Sequence, residues 1–232
     1  MDPIMLPSKI SFVRGDRAHE GVLVVEPCAQ GYGTTLGNAL RRVLLSSLPG
    51  AAVTAVKIKG ADHEFATMPN IKEDALEIIL NLKLLRLKLF SEEPVKLTLS
   101  VKGDKQVTAA DFKKDALVEI VNPELPLATI TSASGSFEMD VWVAPGRGYK
   151  SIDERGKEKL ELGMIAIDAL YNPVINVSYK VEATRVGEKT DFDKLILRVE
   201  TDGTIDAIEA VNQAVQVLTD HVSTLKNLTY SE

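Results

Sequence analysis

The stretch Gly31-Tyr32-Gly33-Thr34-Thr35-Leu36-Gly37-Asn38-Ala39-Leu40-Arg41-Arg42-Val43-Leu44-Leu45-Ser46-Ser47-Leu48-Pro49-Gly50 carries the strongest structural signal in the chain. Leu36, Leu40, Val43, Leu44 and Ser47 recur at the 3.6-residue period, and Ala39 and Leu45 widen the stripe, which predicts a helix from about Thr35 to Leu48. Thr34 or Thr35 is the expected cap of its free amides, and Pro49-Gly50 ends it. So wide an apolar surface on a short helix is either buried on two sides within one fold or covered by a partner. Arg41 and Arg42 stand about 100° apart around the axis, so at least one projects sideways. There it either solubilises an exposed flank or forks onto acceptors of another chain.

Working outward, Lys9–Val13 and Gly21–Glu26 read as two short strands joined by a turn at Gly15-Asp16. The middle of the chain alternates apolar and polar residues at Val56–Lys59, Val95–Val101 and Phe137–Val143, the pattern of sheets with one buried face. Between these strands, Asn70-Ile71-Lys72-Glu73 resembles a capping box, followed by a helix with Leu76, Ile79, Leu80 and Lys83 on one stripe. The glycine-punctuated, charged residues 145–163 read as a surface loop. Strands resume at Val174–Ala183 and Leu195–Glu200. Asp206, with Glu209 three residues on, then opens a helix to about Asn227. Its Ile208, Val211, Val215, Leu218, Val222 and Leu225 form a second broad apolar surface, which shifts the odds toward a helical dimer interface.

The chemistry a single chain could perform is narrowed by composition. With 27 basic and 33 acidic residues among 232, the net charge is −6, a poor basis for stand-alone binding of a phosphate backbone. Cys28 is the single cysteine, which excludes an intrachain disulfide and a multi-cysteine zinc site and suits a reducing compartment. No run approaches the length of a membrane span, and Met1–Ser8 lacks the pattern of a secretory signal, so a cytoplasmic location is expected. Gly31, Gly33 and Gly37 follow a strand and open a helix, but the spacing GxGxxxG lacks the companions of a nucleotide cradle; a tight turn and close helix packing explain it. His63-Glu64 begins like a zincin motif whose second histidine is replaced by Thr67, and His19, His63 and His221 form no ligand set. No nucleophile elbow occurs, and the acids Asp191 and Asp193 read as turn or strand-end charge. No catalytic residue, cofactor or metal is expected.

The run Gly31–Gly50 resembles the N-terminal region of the α subunit of bacterial DNA-directed RNA polymerase. The likeness continues in order through His63-Glu64-Phe65, Asp74–Lys83, Gly146-Arg147-Gly148-Tyr149, Val181–Val186, Thr190–Leu195 and Thr201–Asp206, and spans about residues 8–228. The resemblance implies an α+β fold of two lobes. Residues 1–50 with 173–232 would form a discontinuous dimerisation lobe, an antiparallel sheet with two packing helices, around an inserted strand-rich lobe at 51–172 that contacts large subunits. It implies a homodimeric, non-catalytic scaffold on which the β and β′ subunits of a nucleotidyltransferase assemble, with ω and sigma reached only through the assembled enzyme. Leu36, Leu40, Val43, Leu44, Val211, Val215, Leu218, Val222 and Leu225 would lie at the dimer interface. Arg42, Glu77, Lys83, Ile167, Asp168 and Lys194 match positions that contact the large subunits. Family members usually continue into a DNA-binding domain, absent or removed here, so direct DNA binding is not expected of these residues. Two rivals are a small-molecule enzyme using Gly31–Gly37 as a phosphate cradle and a heterodimeric assembly subunit of the archaeal or eukaryotic type.

Overall fold

The computed structural model describes residues 4–155, 161 and 163–227. Its first elements are β1 (Lys9–Arg14), β2 (Glu20–Cys28), α1 (Tyr32–Ser46), β3 (Pro49–Ile58), α2 (Ala75–Lys83) and β4 (Leu87–Leu89). Next come β5 (Val95–Lys102), β6 (Lys105–Thr108), β7 (Val118–Ile120), β8 (Pro126–Ile130), β9 (Ser136–Arg147), β10 (Tyr149–Lys150), β11 (Ile165–Ala166) and β12 (Ala169–Leu170). The chain closes with β13 (Val174–Val186), β14 (Lys189–Thr201) and α3 (Ala207–Thr224), followed by a 3₁₀ turn at Leu225–Asn227. The fold is α+β, and each of these strand pairings is antiparallel. Two compact units result, one from the chain up to Leu48 together with the chain from Asn172, the other Pro49–Tyr171.

The discontinuous unit is built on a four-stranded sheet ordered β1-β2-β14-β13. Along β14, Leu195, Leu197 and Val199 are buried while Lys194, Ile196 and Arg198 alternate with them, so one face of the sheet is apolar. Leu23 and Val25 of β2 lie opposite Leu197 and Leu195 and extend that face. α1 and α3 cover it, with Leu40, Leu44, Ala210, Val211 and Ala214 turned inward. Asn172 ties the end of α1 to the start of β13: its side-chain amide donates to Leu45 O and Val174 O, each at 3.1 Å.

The continuous unit centres on the sheet β11-β3-β9-β5. Phe137, Met139, Val141 and Val143 of β9 and Leu97 and Leu99 of β5 point to one buried face, where Val56, Ile78, Leu82, Leu127 and Ile130 pack. A register shift between Val53 and Ala55 lifts Thr54 out of the β3–β9 ladder. The freed Thr54 carbonyl accepts the Ile167 amide at 2.9 Å, which steers the chain after β11 along the edge of the sheet.

Two local readings are corrected. α2 is capped not by Asn70 with Glu73 but by Asp74, whose carboxylate accepts the Glu77 amide at 2.8 Å. Glu73 instead reaches β8, accepting from the Thr129 amide at 2.6 Å and its hydroxyl at 2.9 Å. The buried side of α2 is Ala75, Ile78, Ile79 and Leu82, so of the stripe Leu76, Ile79, Leu80 and Lys83 only Ile79 faces the core. The segment 145–163 is also not one loop. β9 runs through Pro145, Gly146 and Arg147 because β3 offers Ala51, Gly50 and Pro49 as ladder partners, and Tyr149-Lys150 forms β10; residues 156–160 and 162 lie outside the described ones.

Candidate functional site

The first turn of α1 has no side-chain cap of its own. Gly31 stands before it at φ 84°, a left-handed conformation that glycine adopts without a Cβ penalty. Thr34 and Thr35 lie inside the helix, and the Thr35 hydroxyl donates to Gly31 O at 3.2 Å. The cap comes from β14: Asp193 Oδ2 accepts the amides of Gly31 at 2.9 Å and Gly33 at 3.1 Å. A carboxylate there satisfies two unpaired N–H groups and complements the positive helix end. It also occupies the position an anionic ligand would take, which removes the physical basis of a phosphate cradle at Gly31–Gly37. Gly37 permits close packing, since a Cβ there would meet Tyr179 Cδ2 at 2.7 Å.

With α1 held this way, the sequence-predicted residues separate into two groups. Leu40, Leu44 and Val211 are buried against the sheet of their own unit and offer no free surface to another chain. Leu36, Val215, Val222 and Leu225 are exposed, and Val43 and Leu218 are half-buried. An open groove of about 930 Å³ runs past Gly31, Thr35, Asn38, Arg42, Val43, Tyr179 and Leu218. Of the two arginines, Arg41 turns back, its Nε donating to Val177 O of β13 at 3.1 Å, whereas Arg42 is exposed on the groove. Tyr32 and Ile10 are exposed apolar residues of the same unit that the sequence assigned to no surface, and Ile208, read as part of the apolar surface of the last helix, is exposed as well. Lys194 crosses the other face of the sheet to Glu26 at 3.4 Å, and Glu26 also takes Lys9 at 2.8 Å. Cys28 is buried beside this cap, and burial, with the Asp193 charge adding, pushes its thiol above the ordinary range, as for an unreactive core cysteine.

In the continuous unit, α2 presents Leu76, Leu80 and, just past its end, Leu84 to solvent, with Glu77 and Lys83 among them. Lys83 Nζ lies 3.3 Å from Asp168 Oδ2. The hydrogen bond from the Ile152 amide, with Lys83 and Tyr149 adding to it, holds the Asp168 carboxyl below the usual carboxylate range despite partial burial. Ile167, the neighbour of Asp168, is 1% exposed and touches the core, so it acts on any surface only through its backbone. His63 and Glu64 lie in a bend and turn, not on a helix, and among the described residues no group of three or more His, Cys, Asp or Glu is placed to hold a metal.

Residues 56–172 match the family described as the RNA polymerase Rpb3/RpoA insert domain, nearly the same residues as the compact unit Pro49–Tyr171. Over 214 residues, 92% of this chain and 68% of the relative, the sequence is 48% identical to the DNA-directed RNA polymerase subunit alpha of Oceanobacillus iheyensis. The chain belongs to the bacterial RNA polymerase α-subunit family. A second relative, the DNA-directed RNA polymerase subunit alpha of Moorella thermoacetica, is 50% identical over 209 residues, 90% of this chain and 66% of that protein. The chain thus spans about two thirds of the length of both relatives. As an α-family chain it carries no helix, among the described residues, long and apolar enough to cross a membrane.

Proposed function

We propose that this chain is a homodimeric scaffold on which the large subunits of RNA polymerase assemble, and that it performs no nucleotidyl transfer itself. The observation that carries the reading is the apolar run along α1, α3 and the turn that follows: Leu36, Val215, Val222 and Leu225 are exposed, and Val43 and Leu218 are half-buried against the core and continue it outward. A two-fold axis would lay this run against its copy, the self-complementary arrangement of an isologous dimer. An obligate pairing of this kind buries roughly 2,000 Å² or more.

In this reading the β and β′ subunits meet the polar and apolar features outside that run. These are Arg42 on the groove, Lys194 on the far face of the sheet, and the outer side of α2 with Glu77, Lys83 and Asp168. Ile167 supports that side from within. ω and sigma are reached through the assembled enzyme, direct DNA contact is not assigned to these residues, and the assembly belongs in the cytoplasm. The test is sedimentation of the purified chain alone and mixed with β. A dimer that binds β supports the scaffold; a strict monomer at high concentration refutes it. A cofactor-dependent enzyme would instead need its ligand at the α1 terminus, where the Asp193 carboxylate already sits.

A further inference from the structure

The outer face of the sheet β11-β3-β9-β5 changes character along its length. Phe137, Met139, Val141 and Val143 of β9 point into the core, so Glu138, Asp140, Trp142 and Ala144 alternate with them on the opposite face. The first two are charged and paired, Glu138 with Lys59 at 3.0 Å and Asp140 with Lys96 at 2.8 Å. The next two are apolar, and their ladder partners on β3, Ala55 and Ala52, are small and buried. Alanines beside a tryptophan leave a hollow. A groove of about 580 Å³ opens there, lined by Trp142, Ala55 and Ala144 together with Pro94, Met164 and Tyr171. That volume suits a small organic molecule.

Three charged side chains also line the groove: Lys150, Glu154 and Arg155. The Arg155 guanidinium donates to the carbonyls of Ile167 and Thr54, and the Glu154 carboxylate accepts from the Ser151 amide at 3.4 Å. Lys150 is exposed and has no ion-pair partner among the described residues. Two cations against one carboxylate leave a single positive charge to be matched. Lys96 Nζ lies 5.4 Å from the centre of the Trp142 ring, yet Lys96 does not line the groove, so the cation covers one part of the indole and the groove takes another. The indole N–H has no acceptor among the described residues.

We propose that this groove binds a small aromatic molecule carrying one carboxylate, its ring against Trp142 and its carboxylate on Lys150. An aliphatic acid lacks the ring surface, and a phosphate ester brings nearly two negative charges to a site with one to match. Because Trp142 belongs to β9 and Lys150 to β10, the bound molecule ties the segment 148–155 to the sheet. The site is independent of the proposed scaffold role.

Trp142 is the single tryptophan of the chain, so its indole N–H gives one resonance that reports on the groove. The full chain, labelled with ¹⁵N at tryptophan, is titrated with 2-naphthoate and separately with the neutral 2-naphthamide. Naphthoate is expected to shift this resonance saturably, with a dissociation constant on the order of 1 mM or below. The amide is expected to bind at least about fivefold more weakly. Lys150→Met changes an exposed side chain and is expected to weaken naphthoate by about that factor while leaving the amide unaffected, and Lys150→Arg is expected to restore it. Saturation with naphthoate is expected to slow exchange of the Ile152 amide at least about twofold. A resonance that stays still, or moves linearly to about 10 mM, overturns the site. Equal affinity for acid and amide, or for Lys150→Met and the parent, overturns the carboxylate contact and with it the ligand class. Unchanged Ile152 exchange at saturation overturns the tie between segment and sheet.

Discussion

Val222 offers the sharpest test of the dimer, because it is 60% exposed within its own unit and lies on the run assigned to the interface. Full burial of a valine side chain is worth roughly 1.5–2 kcal/mol, so covering its exposed part contributes about 1 kcal/mol. A two-fold axis counts each residue twice, which makes Val222→Ala cost about 2 kcal/mol of association, or about thirtyfold in dissociation constant. Val222→Asp adds an unpaired carboxylate on each side of an apolar seam and is expected to abolish the dimer at micromolar concentration. The folded protomer has little at stake, within about 0.5 kcal/mol, because the position is open to water. Leu44 is the counterpart: at 0% exposure, Leu44→Ala empties a core site and costs about 2–5 kcal/mol of folding stability. Sedimentation equilibrium over a concentration series, with circular dichroism on the same samples, separates the two effects. A Val222→Asp chain that remains as tightly dimeric as the parent refutes the assignment of α3 to the interface.

Other outcomes follow from the same geometry. Asp193→Ala removes the acceptor for the Gly31 and Gly33 amides and is expected to lower stability by about 1–2 kcal/mol, read by urea unfolding, with Asp193→Asn recovering part of it. Arg42→Ala is expected to leave dimerisation intact, since the residue is exposed at the groove edge, while reducing co-purification of β; unchanged recovery of β removes Arg42 from that contact. The Asp168 carboxyl titrates below its ordinary 3.8 because its charged form accepts from Ile152 and Lys83. A group with a depressed folded value contributes stability that is complete above the unfolded value and vanishes as pH falls through the folded one. The Ile152 amide shift is therefore expected to titrate with a midpoint below 3.8, and a midpoint at or above it contradicts the hydrogen bond from the Ile152 amide to Asp168.

How much of this the sequence disclosed depends on whether the deciding force was local. The start of α3 was legible because its cap is a neighbour: Asp206 accepts the Ile208 amide at 3.1 Å. β5 and β9 were legible because one face meets a core and the other does not, so Leu97, Leu99, Phe137 and Met139 alternate with polar residues. The cap of α1 was hidden because its acceptor, Asp193, lies 160 residues away and is brought up by a strand pairing. The buried face of α2 was ambiguous for another reason. Ala75, Leu76, Ile78, Ile79, Leu80 and Leu82 nearly encircle the helix, and only the sheet and β8 decide which of them is inside. Residues 145–147 were read as the start of a surface loop because proline and glycine discourage strands, yet a partner strand overrode that preference. In the candidate site, the apolar excess of α1 and α3 was visible, but not which leucines it belonged to. Leu40, Leu44 and Val211 are spent on the sheet below, and the surface is left to residues such as Leu36 and Val222.

The division of one unit around the other has a consequence for biosynthesis. Residues 49–171 leave the ribosome as an uninterrupted stretch holding all their own partners, so that body is free to fold while translation continues. The opening 48 residues have no such freedom: α1 emerges early, carrying its leucines and two open amides, and must wait for β13 and β14 before it has a floor and for Asp193 before it has a cap. On the proposed reading, dimerisation therefore waits until β13 and β14 have been made, and a nascent chain stalled before β14 would display a greasy, unfinished helix suited to chaperone capture and unable to pair correctly.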